Sequence, residues 1–151
     1  MGCQASPARR EALSKSNRPL NMATLLLDTS VIIDAINGKR NRGQLLKELL
    51  YQGHLLACCP INVTEVYAGL RAHEEARTLN LLQSLQYYPL TWPVARLAGE
   101  LKRDYGRKGI TLATTDATIA AVALYHELTL ITDNLKHYPM KELDLYPLPK
   151  N

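Results

Sequence analysis

Three cysteines are too few, and too awkwardly placed, for a disulfide framework: Cys58 and Cys59 are adjacent and Cys3 is left over, an odd count without the spacing of a stapled secreted domain. Cys58 and Cys59 end the run His54-Leu55-Leu56-Ala57 and read as buried strand thiols, because free cysteine packs as a small hydrophobe. A reducing, cytoplasmic setting is expected. No apolar run approaches the ~18–20 residues of a membrane helix. Neither sign of charge dominates: 18 basic residues face 14 acidic ones, for a net charge of +4. So small an excess is a weak argument for a nucleic-acid partner. No repeat and no second domain is visible. With 46% apolar and 21% charged residues over 151 positions, the chain is globular and long enough for one core.

Residues 1–21 carry no helical or strand period, and four of the basic residues (Arg9, Arg10, Lys15, Arg18) lie there. Met1-Gly2-Cys3-Gln4-Ala5-Ser6 matches the short N-myristoylation pattern. The simpler expectation is a disordered tail or a start codon placed upstream of a true start at Met22. The segment also lacks the apolar central region of a signal peptide. The domain is expected over residues 22–151.

From Met22 strand-like and helix-like pieces alternate. Strands are expected at Thr24–Asp28, Leu55–Cys59, Tyr87–Leu90 and Leu128–Thr132, with a last short one at Leu143–Tyr146. Helices are expected at Thr29–Asn37, Gln44–Gln52, Pro60 to about Arg71, His73–Leu85, from Pro93 through Tyr105, and from Asp116 to about Glu127 behind a Thr115 cap. Lys39–Arg42 reads as a basic turn and Gly106–Gly109 as a basic loop. This order implies an α/β fold with a mostly parallel sheet of four or five strands, helices on both faces, and ligands beyond the carboxyl ends of the strands.

Isolated acids stand at the mouths of the apolar segments. Asp28 ends Leu25-Leu26-Leu27, and Asp133 follows Leu130-Ile131-Thr132; Glu65 and Asp116 are expected in the first turns of helices whose starts face the same sheet edge. Charged groups avoid apolar surroundings unless compensated. Each acid alone reads equally well as a helix cap or a partner of the helix dipole. Four at one edge would repel one another, and a Mg²⁺ or Mn²⁺ pair with oxygen ligands would relieve the repulsion.

The segments around these acids carry a resemblance. Leu27-Asp28-Thr29-Ser30-Val31-Ile32-Ile33-Asp34, Thr64-Glu65-Val66-Tyr67-Ala68-Gly69-Leu70, Asp116-Ala117-Thr118-Ile119-Ala120-Ala121-Val122-Ala123-Leu124 and Leu130-Ile131-Thr132-Asp133-Asn134-Leu135-Lys136-His137-Tyr138 resemble, in order and spacing, the four motifs of PIN domains. The likeness runs from about Met22 to Tyr146 and is greatest to the VapC-type toxins of bacterial toxin–antitoxin pairs. It implies a three-layer PIN-like fold and a Mg²⁺- or Mn²⁺-dependent endoribonuclease, usually a homodimer, held in check by a small antitoxin. It also implies that Asp28, Glu65 and Asp116 bind metal. The fourth functional residue of the family usually stands two after the threonine. That points to Asn134, with Asp133 beside it as the alternative. Ser30 matches a small polar position of the site, while Asp34 reads as structural.

Arg103, Arg107 and Lys108 are candidate phosphate contacts, with a solvated helix end as the alternative. His137 reads as a surface-loop residue, and Tyr87, Tyr88 and Trp92 as core or dimer packing. A haloacid-dehalogenase-type phosphatase is excluded by Ser30, which stands where that chemistry needs a second Asp. A non-catalytic RNA- or protein-binding module is the rival reading; the intact Asp28, Glu65 and Asp116 argue against it.

Overall fold

The computed structural model describes residues 22–149, so the expectations for residues 1–21 lie outside the described residues. Five strands form one sheet in the order β3-β2-β1-β4-β5: β1 Thr24–Leu27, β2 Leu55–Cys58, β3 Gln86–Tyr87, β4 Thr129–Ile131 and β5 Leu145–Tyr146. Every pairing is parallel. The helices are α1 Thr29–Ile36, α2 Arg42–Tyr51, α3 Pro60–Ala68, α4 Glu75–Ser84, α5 Trp92–Arg107 and α6 Thr114–Tyr125.

Strand β1 lies at the centre and is buried on both sides, which is why it reads as an unbroken leucine run rather than an alternation. Leu26 joins a core with Val94, Ile119 and Leu130 on one face, and Leu25 and Leu27 join Val31, Ile32 and Leu49 on the other. Helix α6 is almost wholly buried from Ala117 to Ala123; its alanine-rich run lets it pack closely along α5. Cys58 and Cys59 are buried free thiols, as their apolar setting implies. Burial, with the neighbouring Cys59 adding to it, pushes the Cys58 thiol up to about 11.

Several expectations are corrected at element ends. The basic Lys39–Arg42 segment does not end as a free turn: Arg42 opens α2 and is buried. Arg40 and Asn41 take left-handed backbone angles, φ 54° and 55°, unusual for residues with a Cβ. Helix α3 stops at Ala68, and a 3₁₀ turn over Ala72–Glu74 precedes α4. Strand β3 is Gln86–Tyr87, not Tyr87–Leu90, and α5 runs on to Arg107, into the expected loop. Helix α6 starts two residues early, with Ala113 rather than Thr115 at its cap. Tyr88 is buried, but Tyr87 and Trp92 stand 56% and 74% exposed, so neither is core within this chain. Among the described residues no helix is long and apolar enough to cross a membrane.

Because β1 is flanked by β2 and β4, connections leave its two sides in opposite senses. In parallel sheets a crevice opens at such a point, beyond the strands' carboxyl ends. Asp28 and Thr132 immediately follow β1 and β4 there, and the Asp28 amide donates to the Ile131 carbonyl at 2.9 Å, prolonging the strand pairing by one residue.

Candidate active site

Asp28 serves two structures at once. As the residue before α1, its Oδ1 accepts from the Thr29 amide at 2.9 Å, satisfying one of the donors a helix start leaves open. Its Oδ2 accepts from the Thr132 hydroxyl at 2.6 Å. The Thr132 hydroxyl accepts in turn from the Asn134 amide at 2.9 Å, which fixes the direction of its own proton. The helix-cap reading of Asp28 is therefore correct but incomplete: the cap uses one oxygen, and the other ties β1 to the segment after β4.

Glu65 reaches the same crevice from α3. It is the sixth residue of that helix, in the second turn rather than the expected first. Its Oε1 accepts from the Thr29 hydroxyl at 2.7 Å. Buried Asn62 organises this contact: its Oδ1 accepts from the Cys59 amide at 2.8 Å, and its amide nitrogen donates to the Leu27 carbonyl and the Thr29 hydroxyl, each at 3.1 Å. With one Thr29 lone pair held by Asn62, the hydroxyl proton is left for Glu65.

Asp116 comes from the first turn of α6. Its Oδ2 lies 3.4 Å from His137 Nδ1, and its Oδ1 accepts a long hydrogen bond, 3.5 Å, from the hydroxyl of Tyr138. The Asp116 carboxyl sits above its usual range, chiefly through burial. His137 opposes the rise, Asp28 and Glu65 add to it, and Tyr138 opposes it weakly. The Tyr138 phenol is also raised, first by burial and then by Asp28, Asp116 and Glu65. Three carboxylates that act on one another and on a single buried phenol share one small region.

The other expected residues fall elsewhere. Asp133 accepts from Arg42 Nη2 at 2.7 Å and Nε at 3.4 Å, with Arg40 Nη1 at 3.7 Å, so its charge is spent on arginines. Asn134 is exposed and meets the network through its backbone amide. Ser30 lies in the first turn of α1, its hydroxyl buried without a hydrogen-bond partner. Asp34 pairs with Arg40 at 3.7 Å, in keeping with a structural role. Arg103 pairs with its exposed neighbour Asp104, and Lys108 lies over the Tyr105 ring. Arg107 is the last residue of α5. His137, expected as an ordinary loop residue, instead adjoins Asp116. Thr29, Asn62, Thr132 and Tyr138 were missed as site residues; Thr132 and Tyr138 lie within a recognised motif, but their hydroxyls look like ordinary packing in a one-dimensional reading.

The donor set suits a hard divalent cation: three carboxylates, an orphaned hydroxyl at Ser30, and an Asp116 carboxyl whose charge is disfavoured by burial and then by Asp28 and Glu65. As they stand, the side chains are not in ligating positions. Among the described residues no three His, Cys, Asp or Glu groups are arranged to hold a metal. Asp28 and Glu65 are oriented by the Thr132 and Thr29 hydroxyls, and each engaged carboxylate oxygen keeps a second lone pair for a cation.

Comparison with known proteins agrees with this architecture. The sequence model of the PIN domain matches residues 25–143. Ribonuclease VapC10 of Mycobacterium tuberculosis is 32% identical over 118 residues, covering 78% of this chain and 88% of that protein. Ribonuclease VapC19 of the same organism is 30% identical over 115 residues, covering 76% and 92%. Among solved structures, VapBC2 from Rickettsia felis bound to a DNA fragment from its promoter superposes with a TM-score of 0.70 at 25% identity, covering 82% of this chain and 97% of that one. The chain belongs to the PIN domain family, among its VapC proteins.

Proposed function

We propose that this protein is the endoribonuclease toxin of a toxin–antitoxin pair, hydrolysing RNA phosphodiester bonds with the help of Mg²⁺ or Mn²⁺. The observation that carries this reading is the gathering of Asp28, Glu65 and Asp116 at the strand ends, where burial, with Asp28 and Glu65 adding to it, holds the Asp116 carboxyl above its usual range. The relatives named as ribonucleases supply the reaction class, and the likeness to a toxin–antitoxin complex supports a small antitoxin partner. A homodimer and a cytoplasmic setting belong to the same proposal.

In this reading Asp28, Glu65 and Asp116 hold the cation, and the Asn134 carbonyl oxygen is the neutral fourth donor. A divalent cation bound there acidifies water and steadies negative charge on the phosphate oxygens. The chain's own hydroxyls orient the acids: Thr132 fixes Asp28, and Asn62 through Thr29 fixes Glu65. The phenol and the thiols of this region are not ready covalent nucleophiles. The Tyr138 phenol is kept protonated by burial and the surrounding carboxylates, and burial does the same for the Cys58 and Cys59 thiols. Water is the economical attacking group, and the resemblance to PIN-domain nucleases implies a 5′-phosphate and a 3′-hydroxyl at the cut rather than a cyclic phosphate from 2′-hydroxyl attack.

The test is purified protein, stripped of antitoxin, incubated with structured RNA in Mn²⁺ or in EDTA. Cutting is expected in Mn²⁺ alone and is expected to disappear in Asp116→Ala. Cleavage that persists in EDTA, or products ending in cyclic phosphate, would overturn the mechanism.

A further inference from the structure

Beside the acids lies a groove of about 810 Å³, lined among others by Arg40, Arg42, Thr132, Leu135, Tyr146 and Pro147. Its volume falls in the range of sites that hold a small ligand or one unit of a polymer. One wall is the turn between α1 and α2, the other the segment after β5. Thr132, whose hydroxyl holds Asp28, lines it too, so the groove begins one hydrogen bond from the acidic centre.

The charges along the groove are unequal in what they leave over. Asp133 is answered by buried Arg42 at 2.7 Å. Arg42 Nη1 also donates to the Arg40 carbonyl at 3.3 Å, so this pair fastens the backbone of the turn to the loop after β4. Arg40 stands 3.7 Å from both Asp34 and Asp133, and with its side chain 55% exposed it meets them only loosely and still faces solvent. It is held at a left-handed backbone position, φ 54°, a conformation costly enough in a non-glycine residue to persist only where its surroundings impose it. The 3₁₀ turn Leu135–His137 forms a ridge between groove and acids: Leu135 lines the groove, and His137 stands 3.4 Å from Asp116.

We infer that this groove is a subsite for the RNA strand, with Arg40 contacting a phosphate and the Leu135–Tyr146–Pro147 surface receiving the adjoining nucleoside. This rests on the ribonuclease reading above. A cation on a turn tied down by Arg42, beside an apolar wall that includes Tyr146, meets the two needs of a single-stranded nucleic acid, charge along the backbone and an apolar face for a base. The strand that lies in it passes Thr132 and the His137 ridge to reach the carboxylates.

The probe is a fluorescently labelled single-stranded RNA, its binding followed by anisotropy in EDTA at several salt concentrations. Arg40→Asn removes the charge while keeping a residue that tolerates left-handed angles. It is expected to weaken binding by roughly tenfold and to reduce the salt slope by about 0.7, the share of one phosphate contact on a single strand. Leu135→Glu, at an exposed position, is expected to weaken binding independently by placing a negative charge in the groove. Wild-type affinity and slope in both variants would overturn the subsite while leaving the ribonuclease reading intact. A wild-type protein that neither binds nor cuts RNA would overturn both. A short acidic peptide that binds wild type but not Arg40→Asn, while RNA binds both alike, would reassign the groove to a protein partner.

Discussion

Thr132 donates its hydroxyl to Asp28 at 2.6 Å across 104 residues of sequence, and so joins the ends of β1 and β4 at the point where the acids gather. Both residues are nearly inaccessible, at 2% and 6% exposure. Removing the hydroxyl in Thr132→Val strips a buried carboxylate of a donor and the Asn134 amide of an acceptor. Hydrogen bonds to charged groups contribute about 1.5–3 kcal/mol, and a loss of that order is expected in urea denaturation. Thr132→Ser restores the hydroxyl and is expected to recover most of the loss. An unchanged midpoint in Thr132→Val would mean that the contact carries no weight.

Asp116 gives a pH dependence with a definite sign. Burial, with Asp28 and Glu65, raises its carboxyl above the ordinary value of 3.8, so the native chain holds this proton more tightly than the unfolded chain does. The group's contribution to stability is most favourable below that ordinary value. It falls as pH rises through the elevated native value, and stays at its lowest above it. Asp116→Asn removes the charge at constant shape. In EDTA the variant is expected to melt at a higher temperature than wild type at neutral pH, with the gap closing below the ordinary carboxylate range. A variant that melts lower at neutral pH would contradict the crowding of the three acids.

The Arg42–Asp133 pair separates a structural acid from the acids of the centre. Arg42 is 3% exposed and Asp133 14%. Removing one partner of a buried pair leaves the other uncompensated, and Arg42→Met is expected to cost about 3 kcal/mol. Replacing both, as Arg42→Met with Asp133→Leu, is expected to recover much of that. Asp133→Ala alone is expected to lower the denaturation midpoint, whereas Asn134→Ala at its exposed position is expected to spare the fold and reduce cleavage. The reverse assignment, activity lost only in Asp133→Ala with the fold intact, would shift the fourth motif by one residue.

These relationships mark how far the sequence can be read. The buried leucine run of β1 and the helices after β1, β2 and β3 are local in origin, because apolar period and capping residues act within a few positions, and the parallel order follows from that alternation. Asp28, Glu65 and Asp116 were legible because a lone acid beside an apolar run demands an explanation. What stayed hidden depends on partners distant in the chain. Arg42 looks like one more cation in a basic turn until Asp133, 91 residues away, is seen to bury it. Asn62 shows as a helix starter, yet its amide reaches Leu27 and Thr29, 35 and 33 residues back. The left-handed angles at Arg40 and Asn41 carry no glycine to announce them.

The central claim is that Asp28, Glu65 and Asp116 act together by holding a divalent cation. The most direct measurement is a calorimetric titration of Mn²⁺ into the metal-stripped wild-type protein and into Asp28→Asn. Binding heat is expected in the wild type and is expected to be lost or much weakened in the variant, because a neutral amide supplies neither the charge nor both oxygens of the carboxylate. Equal affinity in the two proteins would contradict the account.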